Sequence, residues 1–187
     1  MPAVLAAVLA ATLLGSQPLA ISAERDRDTL TLSVELKQVL PPSFEAALPS
    51  GALVRVVYQI QVRAERRVLW DRKIWKGTVV STASFDPITG RYRCELTLDE
   101  IVVASREFES AEDARGWLTR PPPVRLALKP SKALLDLRVR ARAVFSSTTV
   151  WLVFPATEGT EWIEAPVSSS DEDGARSRSD AVSRTEQ

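Results

Sequence analysis

Histidine is absent from this chain of 187 residues, and cysteine occurs once, as Cys94. A Ser-His-Asp triad, a Cys-His nucleophile, and a His-ligated zinc or haem all need side chains that the sequence lacks. One thiol makes no intrachain disulfide and no Cys-x-x-Cys metal site. Chemistry is left to carboxylates, Lys, Ser, Thr, Tyr and the backbone. Asp99 and Glu100 are adjacent, so a continuous strand would send them to opposite faces, a poor geometry for a glycosidase pair. The "DEDG" at 171–174 has the look of a calcium loop but lacks the remaining ligand spacing. The expectation is no catalytic residue, no metal site and no cofactor.

Binding is better served. Arg138, Arg140 and Arg142 recur every second residue, which places three guanidiniums on one face of a strand. Unneutralised, such a row would grip an acidic partner through bidentate contacts. Paired with Glu and Asp it would only be a solvated sheet face that discourages edge-to-edge association. Trp70 and Trp75 bracket Asp71, Arg72 and Lys73, and two indoles interleaved with cations suit a sugar- or peptide-binding surface. The plainer reading has one Trp in the core and the other over a hairpin end. Asp86 opens "DPITG", where Asp accepts backbone hydrogen bonds, Pro sets φ and Gly permits a left-handed residue, so it reads as a turn. Cys94 is in phase with Tyr92, Leu96 and Leu98, which turns it inward, where a thiol is inert.

Composition narrows the partners. Lys plus Arg and Asp plus Glu both number 24, so no global field draws the chain to nucleic acid or anionic lipid. Residues 3–14, "AVLAAVLAATLL", form an uncharged apolar run of secretory-leader length, short for a bilayer span, followed by helix-breaking Gly15 and Pro18 and small Ser22 and Ala23. This predicts a signal peptide over 1–23, cleaved near Ala23, and an exported protein of the periplasm or cell envelope. The alternative is an inner-membrane protein held by an uncleaved N-terminal anchor. After cleavage no stable membrane span is expected.

The elements that must carry these residues are mainly strands. Alternation over 29–39, 53–65, 91–98 and 132–145 has the period of two of half-buried strands. Segments 72–85 and 100–110 extend that set, with 72–85 and 91–98 forming a hairpin around "DPITG". "TTVWLVFP" and "TEWIEAPV" are candidates for one or two more. "PPSFEAALPSG" (41–51) allows a helical turn or two, ended by Gly51. "SAEDARGWLT" is the clear helix, with Ser110 and Asp113 at capping-box spacing and Glu112 and Asp113 at the positive end of the dipole. Seven to eight strands and one short helix predict a mostly β chain: an antiparallel β-sandwich, immunoglobulin-like or an open barrel, as a single domain over 24–167. Residues 168–187, nearly free of apolar side chains, are expected to be a disordered polar tail.

Three segments carry a family resemblance: Leu69-Trp70-Asp71, Phe85-Asp86-Pro87-Ile88-Thr89-Gly90-Arg91-Tyr92 and Phe108-Glu109-Ser110-Ala111-Glu112-Asp113-Ala114. In these, and in the order of leader, first strand and Pro-bounded turn, the chain resembles the bacterial exported family called domain of unknown function 4390. The resemblance spans most of 29–145. It implies an exported domain with no assigned activity, in a family often encoded beside membrane-bound sensor kinases, which hints at envelope signalling. The functional expectation is a non-catalytic module that binds another envelope protein through Arg138, Arg140 and Arg142, with Trp70 and Trp75 as a second surface. The alternatives are a carboxylate- or Ser/Lys-dependent hydrolase, and a purely structural module that pairs through a sheet edge.

Overall fold

The computed structural model describes residues 17–65, 72–128, 137–147 and 158–169. Alternating apolar residues pack these segments into two sheets. The smaller holds β1 (Leu19–Asp26), β2 (Thr29–Leu36), β7 (Val124–Ala127) and β11 (Ser168–Ser169), in the order β11-β1-β2-β7. The larger holds β3 (Val54–Ala64), β4 (Arg72–Asp86), β5 (Arg91–Leu98), β6 (Ile101–Phe108), β8 (Leu137–Ser147) and β10 (Ile163–Pro166), in the order β10-β8-β3-β4-β5-β6. The two-residue β9 (Glu158–Gly159) also lies against β8. All pairings are antiparallel except β1 with β11. The architecture is an open β-sandwich, as the sequence pattern predicts.

Val54, Val56, Tyr58, Ile60 and Val62 of β3 and Val139, Ala141, Ala143 and Phe145 of β8 point inward against Leu30, Leu32, Val34 and Leu36 of β2. The two sheets are linked at one side by the chain itself. Val167 N donates to Leu137 O at 3.0 Å, and the next residues leave β8 to pair with β1. Helix α1 (Pro42–Ala47) and a 3-10 turn (Leu48–Ser50) cross one end, with Phe44 edge-on to Phe145 at 5.9 Å. Gly51 ends this segment at φ 80°, a conformation that favours glycine.

Helix α2 (Ala111–Thr119) lies against β4 and β5. Its start has the Ser110 N-cap but only one arm of a capping box: Ser110 Oγ accepts from Asp113 N at 3.0 Å, while the Asp113 carboxylate takes the Ser110 hydroxyl at 2.7 Å rather than its backbone N–H. Ala114, Trp117 and Leu118 are its buried face. Two sheet hydroxyls reach its last turn, Tyr58 Oη to Leu118 O at 2.7 Å and Ser81 Oγ to Trp117 O at 3.1 Å.

Two boundaries move. The sandwich begins at Leu19 rather than Glu24, because Leu19 and Ala23 are buried on the inner side of β1. Only four residues separate the apolar run at 3–14 from this half-apolar strand, which hides the strand's start. At the other end Ser168 and Ser169 pair with β1 and belong to the fold, while 170–187 lie outside the described residues.

Candidate functional site

β8 displays Arg138, Arg140 and Arg142 on its outer face, as the alternation requires, since Leu137, Val139, Ala141 and Ala143 fill the core. Its neighbours decide what the row can do. Arg138 Nε donates to Glu65 Oε2 at 3.0 Å and Nη1 lies 3.4 Å from Glu164 Oε1; Arg140 Nε is 3.6 Å from Glu164 Oε2. Arg142 Nε donates to Gln59 Oε1 at 2.8 Å. The Arg140 and Arg142 guanidiniums lie over the Trp162 ring, 5.4 and 5.0 Å from its centroid. The Glu65 hydrogen bond and charge hold the Arg138 guanidinium still further into its protonated form. Two arginines are matched by carboxylates and the third by an amide and an indole. Among the described residues, therefore, the row is not the bare cationic patch that an acidic partner would need.

Trp70 lies outside the described residues, with Asp71. Trp75 is half-buried and packs against the core. It sits over Gly77, where an added Cβ would fall 2.2 Å from Trp75 Cζ2 and 2.7 Å from Asp99 Oδ1. This agrees with a Trp that closes the end of the sheet. The two indoles are therefore not shown as one surface.

The "DPITG" segment is a turn between β4 and β5. Asp86 Oδ1 accepts from Ile88 N at 2.9 Å and Thr89 N at 3.4 Å, and Gly90 N donates to Asp86 O at 2.9 Å with Gly90 at φ 68°. The Ile88 amide leads the groups that hold the Asp86 carboxyl below its ordinary pKa. Cys94 is buried, and desolvation pushes its thiol up to about 12, where it is no nucleophile at neutral pH.

A cleft of about 630 Å³ lies on the outer face of β3, β4 and β5, lined in part by Arg55, Thr82, Glu95, Asp99 and Glu100. Asp99 Oδ1 is already engaged by Thr78 N at 2.8 Å. Asp99 and Glu100 take φ 46° and 74° as the two central residues of the β5–β6 hairpin, the left-handed pair of a type I′ turn. Among the described residues no group of three or more His, Cys, Asp and Glu could hold a metal ion, and no helix is long and apolar enough to cross a membrane.

The surface that stands out is β6. It ends the larger sheet and pairs only with β5 among the described residues. Its second half is covered by charge: Glu107 lies 3.8 Å from Arg91 and 3.9 Å from Arg93, and Arg106 lies over the Phe108 ring at 5.1 Å. Its first half is not. Ile101, Val102 and Val103 are 70%, 56% and 46% exposed. The register shifts where Leu96 faces Ala104 and Thr97 faces Val102, so Val103 is the extra residue of a bulge. The sequence carried a signal here: three consecutive apolar residues on a strand cannot all face one side.

Comparison with curated proteins and with solved structures finds no match. The sequence matches the family described as "Domain of unknown function (DUF4390)" over residues 19–162, from the first residue of β1 to Trp162 beside the arginine row. That span takes in both helices and every described strand except β10 and β11, and the chain belongs to this family.

Proposed function

We propose that this protein is an exported, non-catalytic binding module of the cell envelope, and that its recognition element is the β6 edge. The partner is a protein that offers an extended, apolar strand to add to the larger sheet. The observation that carries the reading is the exposure of Ile101, Val102 and Val103 on a sheet edge. Soluble proteins ordinarily blunt such an edge with charge, proline or a covering element. Charge covers the second half of β6, whereas the first half carries only the bulge at Val103. Main-chain hydrogen bonds would supply affinity, and side chains on either side of the bulge would set register and selectivity. The export part of the reading rests on the apolar run at 3–14.

The test is site-specific photocrosslinking in the envelope fraction. A photoreactive residue at Val102 should give a discrete adduct that Ile101→Lys abolishes. The same residue at Arg142, beside Trp162, should give none. Adducts of equal yield at both positions, or a Val102 adduct indifferent to Ile101→Lys, would discard the β6 reading.

A further inference from the structure

We infer that Leu19–Ala23 belong to the mature protein, and that any removal of the N-terminal leader takes place upstream of Pro18. The inference rests on the export reading for its setting and on β1 for its argument. Ser22 and Ala23 have the small side chains that leader processing favours, and by sequence alone a cut after Ala23 looks suitable. The fold assigns those residues another task. Leu19 to Ala23 pair in unbroken register with Leu36 to Leu32 of β2. Leu19 is fully buried, Ala23 nearly so, and Ile21 packs against the same core. The attachment begins one residue earlier, where Pro18 O accepts from Lys37 N at 2.9 Å and Gln38 N at 3.1 Å. Ala23 O in turn accepts from Ser168 Oγ at 3.2 Å, so the segment also holds the end of the domain.

A cut after Ala23 would leave β1 with three paired residues, Glu24, Arg25 and Asp26. These keep none of the buried side chains of the strand. Leu32, Val34 and Leu36 would lose their cross-strand neighbours, and the β2 edge facing β1 would open to water along five of its eight residues. Leader cleavage precedes folding, so burial does not shield Ala23 from a protease. The shortened chain would instead lack most of one of the two inner strands of the smaller sheet. Upstream of Pro18, Gly15 and Ser16 follow the apolar run directly and supply small residues for an earlier cut. If the leader stays, the four residues 15–18 separate Leu14 from β1. Four residues reach at most about 14 Å, which would keep the sandwich near the bilayer surface.

The experiment is to express the full chain with its own N-terminus in a bacterial host and read that terminus by mass spectrometry in the periplasmic and membrane fractions. The expected mature terminus lies at or before Pro18. An intact leader in the membrane fraction would support retention of Leu19–Ala23 and would count against cleavage, so the two readings fail separately. A terminus at Glu24 on folded protein would overturn the inference. As a second measurement, chains beginning at Gln17 and at Glu24 are placed behind an unrelated leader. The first should resist protease and the second should be digested. Equal resistance would also overturn it.

Discussion

Tyr58 Oη and the Leu118 carbonyl oxygen, 2.7 Å apart, tie the middle of the larger sheet to the end of α2. The carbonyls of a last helical turn have no partner within the helix, and burial here withholds water from them. Ser81 Oγ serves Trp117 O in the same way at 3.1 Å. Burial also pushes the Tyr58 phenol well above its ordinary pKa, so it stays a donor.

Tyr58→Phe therefore leaves a buried carbonyl short of its donor and should destabilise the fold by about 1–3 kcal/mol in urea unfolding. Ser81→Ala should act in the same direction. The double variant should lose less than the sum of the two, because both hydroxyls hold one helix end. Strict additivity would show that the two contacts act independently.

Gly77→Ala tests the Trp75 contact. The new methyl would lie 2.2 Å from the indole and 2.7 Å from Asp99 Oδ1, so the ring must leave. Overpacking of this kind costs about 1–3 kcal/mol. The expected signs are a lower Tm and, against a Trp75→Phe control, a red shift in the fluorescence that Trp75 contributes. Gly90→Ala meets no neighbouring atom within 4 Å and should show only the smaller cost of its positive φ.

Cys94 should be inert to iodoacetamide in the folded protein and react once urea unfolds it. Its folded thiol titrates at about 12 against an ordinary 9.0. The folded state therefore keeps a proton that the unfolded state releases. Stability from this group is complete below about pH 9 and is lost as pH rises toward 12. Cys94→Ala should flatten that alkaline slope; an unchanged slope would assign it to other groups.

Asp86 runs the other way. Its folded carboxyl titrates below the ordinary value, led by the Ile88 amide. Its contribution is present above the unfolded pKa and is lost as pH falls through the lowered folded value. In carbon-detected NMR the Asp86 midpoint should lie below that of an unfolded Asp peptide, and Ile88→Pro, which removes the donor, should raise it.

Much of the fold was legible because a period of two survives in β2, β3, β5 and β8, where one face meets the core and the other meets water. The α2 cap and the Asp86 turn were legible for the same reason: each is a local hydrogen-bond pattern tied to residue types at fixed spacing. β1 was not, because the half-apolar Leu19–Ala23 follows the apolar run at 3–14 so closely that the two read as one segment. The arginine row was legible as a row. Its pairing was not, since Glu65 and Glu164 come from elements 73 and 26 residues away from Arg138. For β6 the three apolar residues were visible, but that the strand would stand at the sheet's edge depends on strand order, which no local pattern encodes.

The pairing of β1 with β11 sets an order of assembly. Ala23 and Ser168, joined by a hydrogen bond, are 145 residues apart along the chain. A polypeptide that emerges N-terminus first, from a ribosome or through a membrane channel, offers β1 long before its outer neighbour exists. Until Ser168 and Ser169 arrive, the side of the sandwich bridged at Val167 stays open and β1 has a vacant edge. Closure is thus deferred to nearly the last residues of the domain. The outer edge of β1 is completed only by residues that leave the ribosome after nearly all of the sandwich.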